Sequence, residues 1–140
     1  MKQYQLYALV AMIFAGLTSV IAKAGLKNVS GDTGLAVRTS VVFVLVWLNI
    51  FAFNQNKDFS NLTKKDIFLL ALSGLTTAVS WIYYYRAIKI GNVSEVALID
   101  KASIVITLLL SFQFLNEQFT WKIAAGGLLI VGGLLILTIK

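Results

Sequence analysis

Five apolar runs, each long enough to cross a lipid bilayer, decide what this chain can become. They cover about residues 4–26, 34–53, 66–88, 93–114 and 121–139. Roughly twenty helical residues cross a hydrocarbon core of about 30 Å. In lipid the amides of a spanning segment must be satisfied internally, and a helix does this within one run. The breaks carry turn chemistry. Residues 28–33 (NVSGDT) form a turn cluster. Residues 54–66 are the longest polar stretch and belong in water, and Thr63 with Asp66 spells a capping box for the third helix. Gly91 suits a helix C-cap, Asn92 with Glu95 an N-cap, and Thr120 a cap after the polar link that begins at Asn116. Such tight links make sequential antiparallel neighbours. The expected fold is an all-α integral membrane protein, a bundle of five transmembrane helices in one domain spanning residues 1–140.

Composition removes most other classes. Of 140 residues, 59% are hydrophobic and 13% charged, against about a quarter charged in a soluble domain. Cys and His are absent, which excludes disulfides, thiol chemistry and the usual zinc ligands. The six acidic residues lie mostly near links, so no metal and no cofactor is expected. No nucleophile–base pair is visible, and an enzyme is not expected. The net charge of +6 comes from basic residues at the ends of apolar runs, where they meet anionic lipid headgroups. No basic stripe with interleaved aromatics points to nucleic acid. The first run is longer than the apolar part of a signal peptide and is led only by Lys2, so it is read as retained, despite the small-x-small pattern at Ala22-Lys23-Ala24. The sequons at Asn28, Asn61 and Asn92 are read as chance matches. With no proline in the chain, irregular backbone inside a span is expected only at glycine.

Against this background the embedded polar residues stand out. Asp100, Ser103, Thr107 and Ser111 fall on one face of the fourth helix. Ser73, Thr77, Ser80 and Tyr84 do so on the third, and Gly16, Ser19 and Lys23 on the first. Such stripes belong toward a bundle interior or a water-filled cavity. Lys23, Arg38, Arg86, Asp100 and Lys101 all fall near one membrane face. Asp100 and Lys101 point about 100° apart on a helix, so Arg38 or Lys23 is the expected partner of Asp100. The substrate or coupling-ion candidates are Asp100, Lys101, Lys23, Arg38, Ser103, Thr107, Trp81 and Tyr84. An ion pair at Asp100 and snorkelling lysines are the structural alternatives. For at least two of Trp81, Tyr83, Tyr84 and Tyr85 the expectation is an interfacial aromatic belt. On the last helix Gly126 and Gly133 share a face, with Gly127 and Gly132 nearby. They are read either as a dimer seam or as packing within the chain.

Orientation is weakly encoded. The N-terminal side carries Lys2, Lys57, Lys64, Lys65 and Lys122. The other carries Lys27, Lys89 and Lys140, joined by Lys23, Arg38, Arg86 and Lys101 if helix ends are counted. The sign of the bias changes with the count. Dual insertion and an antiparallel dimer follow as an expectation, since ten helices in inverted halves is a recurring transporter plan, with a single fixed orientation that the charges do not reveal as the alternative.

Trp81, Tyr84, Ala87, the turn from Gly91 to Ser94, the Asp100-Lys101 pair, the link containing Glu117 and the Gly-rich last helix together resemble the EamA family of the drug/metabolite transporter superfamily. Residues 14–42 look like the start of its single-unit, five-helix members. The resemblance covers nearly the whole chain. It implies one half of an inverted-repeat plan, acting as a homodimer around a central polar cavity. It also implies secondary transport of small metabolites or lipophilic compounds across a bacterial or archaeal cell membrane by a multi-pass protein. The expected partners are a second copy, membrane lipids and a small-molecule substrate. Many relatives carry a proline near the position of Leu98, and this chain does not. Two alternatives stand beside this reading. One is a flippase for a phosphorylated polyprenyl lipid, with Lys23, Arg38 and Lys101 on the phosphate. The other is a non-transporting membrane subunit of a larger complex.

Overall fold

The computed structural model describes residues 2–138. Ile139 and Lys140, the expected end of the last span and the last basic residue, lie outside them. The described residues are helical, with α1 Gln3–Gly25, α2 Gly31–Ala52, α3 Lys64–Ile90, α4 Val93–Lys101, α5 Ser103–Phe114 and α6 Trp121–Thr138. A short 3-10 segment, Gln55–Asn61, lies between α2 and α3. Three helices, α1, α2 and α3, are long and apolar enough to cross a membrane. The expected fourth span is divided between α4 and α5, and the fifth corresponds to α6. The chain separates into two compact units, Met1–Ile90 and Gly91–Lys140.

In the first unit the caps set the helix lengths. Ser30 accepts a bond from the Thr33 amide at 3.1 Å, and its hydroxyl lies 2.9 Å from that of Thr33. This cap starts α2 at Gly31, three residues before the apolar run. The expected capping box opens α3. The Thr63 amide donates to Asp66 Oδ2 at 3.1 Å, and the Asp66 amide donates to Thr63 Oγ1 at 3.2 Å. Asn54, at φ 53°, takes the left-handed turn after α2, a conformation asparagine tolerates. The polar stretch that follows is less loose than its composition suggests. Phe59 stacks on Trp47 of α2, ring centroids 5.8 Å apart.

Packing within this unit centres where α2 begins and α3 ends. The buried apolar residues are Leu26, Leu35, Tyr85 and Ile88. Gly31 permits the approach, because a Cβ there would lie 2.8 Å from the Tyr85 carbonyl oxygen. Gly34 faces Leu26 in the same way. Elsewhere the large apolar side chains of the spans stay exposed, as lipid-facing residues must be.

In the second unit α4, α5 and α6 pack on one another. The fourth apolar run is not one continuous helix. It breaks at Ala102, where the Ala102 amide bonds to the Ile99 carbonyl and the Val105 amide to the Ala102 carbonyl, each at 3.0 Å. Both bonds close three-residue turns, so the helix tightens locally. The expectation that irregular backbone would appear only at glycine is corrected here: a 3-10 turn needs no positive φ, and Ala102 sits at φ −61°, ψ −20°. Asn116, at φ 51°, ends α5 as a left-handed cap residue. Phe112 and Phe119 then meet edge to face at 5.3 Å and hold the link to α6.

Candidate functional site

Each unit carries its own recess, and the sequence-derived residues divide between them.

In the first unit, α1 and α3 end on the same side and exchange caps. Lys23 Nζ donates to the carbonyls of Ile88 at 2.5 Å and Lys89 at 3.1 Å. Lys89 Nζ donates in return to the carbonyls of Leu26 at 2.6 Å and Lys27 at 3.0 Å. The last carbonyls of a helix have no donor in their own ladder, and they present the negative end of its dipole. Each lysine supplies the missing donor and a compensating charge to the other helix. A third link ties α2 to α3. Arg86 grips Asp32 through Nε to Oδ1 at 2.8 Å and Nη2 to Oδ2 at 2.9 Å. A fourth joins α1 to α3, where the Tyr84 hydroxyl donates to Ser19 Oγ at 2.7 Å.

These links frame a cavity of about 600 Å³ lined by Thr18, Ile21, Leu26, Val37, Arg38 and Tyr85, among others. The Arg38 guanidinium lies over the Trp81 ring, 4.1 Å from its centroid, and 5.7 Å from the centroid of Tyr85. Its Nη1 is buried without a hydrogen-bond partner among the described residues. Trp81, Tyr84 and Tyr85 make contacts inside the unit, while Tyr83 is 67% exposed.

The second unit holds a groove of about 630 Å³, lined by Lys101, Ser103, Ile104, Thr107, Leu129 and Gly133, among others. Three of the site candidates, Lys101, Ser103 and Thr107, come together here. Asp100 is half-buried and is not among the lining residues. Its partner is Lys101, with Nζ 3.3 Å from Oδ2. Helical geometry argued against this neighbour, and the reason the two meet is side-chain reach. The 100° offset separates the backbone positions, yet a long lysine stem curls back across it. Ser111 is buried and bonds to the Leu108 carbonyl.

The polar stripes are largely satisfied within their own helices. Thr77 bonds back to the Ser73 carbonyl, Thr18 to Phe14 and Thr107 to Ser103, at 2.8, 2.8 and 3.1 Å. Such back-bonding lets a hydroxyl sit on an apolar helix at small cost. Of the four glycines in α6, Gly127 faces Leu108, which a Cβ would meet at 2.9 Å, while Gly126, Gly132 and Gly133 have open space around them. Gly127 thus belongs to packing within the chain. Among the described residues no cluster of acidic side chains could hold a metal ion.

Sequence reasoning missed Asp32 with Arg86, and Lys89 with Lys23. A signal existed for the lysines, since two helices running the same way each end on one.

Long apolar helices with their hydroxyls satisfied along them define a multi-pass membrane protein. The EamA-like transporter family model matches residues 3–139. The chain is also 34% identical over 138 residues to an uncharacterized transporter in the cobO 3′ region of Sinorhizobium sp, covering 99% of this chain and 98% of that protein. The chain belongs to the EamA-like transporter family. No solved structure matches it.

Proposed function

We propose that the protein is a secondary transporter of small metabolites or lipophilic compounds, working in the cell membrane as a homodimer around a central polar cavity. The observation that carries this is a largely apolar recess of about 600 Å³ set among membrane-spanning helices, with a single guanidinium at its wall. A helix that served only to pack against a neighbour would gain nothing from such a group, since a charge in the membrane is costly. Five spans, the fourth of them divided, are too few to enclose a sizeable chamber, which motivates the second copy. Asp100 carries the coupling proton in this reading, beside the tightened turn at Ala102.

The test is flux in proteoliposomes across a panel of metabolites and lipophilic compounds, with and without a pH gradient. Gradient-driven uptake or efflux by the purified protein is expected. Asp100→Asn is expected to fold and assemble normally yet lose the gradient dependence. Full gradient-driven flux in a well-folded Asp100→Asn protein would remove the coupling role. Absence of flux for every compound would favour the non-transporting subunit.

A further inference from the structure

We infer that the recess in the first unit is a binding site for an amphiphilic organic anion, whose carboxylate or phosphate sits on the free edge of the Arg38 guanidinium. This deepens the transport reading by naming its substrate class, and it rests on that reading.

Charge balance supplies the first step. Arg38 belongs to the spanning helix α2 and is half-buried. Arginine keeps its charge under all ordinary conditions, so it cannot relieve burial by losing a proton. A charge held in apolar surroundings needs a partner or water. Asp32, the acidic residue of the same helix, is already gripped by Arg86 through both carboxylate oxygens. Among the described residues the ion pairs are Arg86 with Asp32 and Lys101 with Asp100, and neither involves Arg38. Trp81 and Tyr85 interact with the cation through their rings. Ring contacts cover a guanidinium's face and leave its N–H edge for hydrogen bonding. Nη1 on that edge is buried and unbonded.

Cavity chemistry supplies the second step. Arg38 lines the recess, and Ile21, Ala22, Leu26, Val29 and Val37 line it too. The hydroxyls of Thr18 and Thr33 reach the same wall, but Thr18 donates to Phe14 and Thr33 is paired with Ser30. One fixed cation with an apolar surround selects a ligand with one anionic head and an apolar body. The fork of N–H donors matches the two oxygens of a carboxylate or phosphate. Tyr85, packed on Arg38 and 4% exposed, keeps water from one side of the pair.

The experiment uses the full-length chain in phosphatidylcholine nanodiscs, with Trp47→Phe and Trp121→Phe so that Trp81 is the reporter. Octanoate, octyl phosphate and octyltrimethylammonium share a tail and differ in the head. Both anions are expected to change Trp81 emission saturably, and the ammonium is not. Arg38→Gln is expected to weaken anion binding roughly tenfold or more. Arg38→Lys, which keeps the charge but loses the fork, should lie between. Nanodiscs doped with phosphatidic acid separate the two sources of the head group. Competition between that lipid and octyl phosphate would assign the site to a lipid phosphate, and its absence to a free organic anion.

An equal response to the ammonium, or unchanged anion binding in folded Arg38→Gln, would overturn the site. So would a fall in melting temperature in Arg38→Gln with no anion shifting Trp81 in the parent, because the cation's partner would then be a protein carboxylate. Flux separates this inference from its parent reading. Saturable anion binding without flux of any compound would keep the site and remove transport. Flux unaffected by Arg38→Gln would keep transport and remove the anion.

Discussion

Lys23 and Lys89 have the clearest mechanical roles in the first unit. Each ammonium sits on two carbonyls at the end of the other's helix. A hydrogen bond to a charged group contributes about 1.5–3 kcal/mol, and a stranded carbonyl in apolar surroundings adds to the loss. Lys89→Met is therefore expected to destabilise the protein by about 2 kcal/mol in detergent, read as a lower midpoint of unfolding. Lys23→Met should do the same. The two exchange caps across one interface, so the double variant is expected to fall short of the sum. Strict additivity would show that the lysines act independently. That these basic residues lie near one membrane face was legible in the sequence. Their acceptors were not, because carbonyls leave no mark in composition and the contacts join residues more than sixty positions apart. Asp100 illustrates the opposite error. Helical geometry argued against its neighbour Lys101, yet backbone angles do not limit a side chain as long as lysine.

Local chemistry fixed most element boundaries. Thr63 with Asp66 opens α3 as its spacing requires, and Asn116 closes α5. The division of the fourth run at Ala102 had no such signal, since neither glycine nor proline marks it and each residue there is compatible with an unbroken helix. Packing between elements was equally hidden at Gly31, which reads as part of a turn and proves to be a contact point. A methyl group there would press on the Tyr85 carbonyl and the Arg86 amide nitrogen at 2.8 and 3.0 Å, and backbone atoms cannot rotate away. Gly31→Ala is expected to cost on the order of 1–3 kcal/mol and to loosen α2 from α3. Gly16→Ala, with open space around it, is the control and should be neutral or slightly stabilising. Equal melting temperatures for the two variants would show that α2 shifts to absorb the added carbon.

At the scale of the whole molecule, the question is which way up the chain inserts. Two long spans have charged links on both ends, and the Lys/Arg count favours neither side consistently, five against three by links and five against seven with helix ends included. The positive-inside bias that orients most membrane proteins acts through this difference. When it nears zero, both insertions are expected in one population, and copies of opposite orientation can meet as an inverted pair. A reporter fused to the C-terminus should then be found on both sides of the membrane. Adding charge to the link between α2 and α3, by Ser60→Lys with Asn61→Lys, should bias insertion one way. Removing it, by Lys57→Gln with Lys65→Gln, should bias it the other. If the working unit is an antiparallel pair, each biased variant alone should lose flux, and the two expressed together should recover it. Flux from either biased variant alone would instead make the pair parallel. Gly126→Leu then tests the seam, because open space surrounds Gly126 within its own chain. Added bulk there should weaken self-association while leaving the single chain folded. Unchanged association would place the seam on another helix.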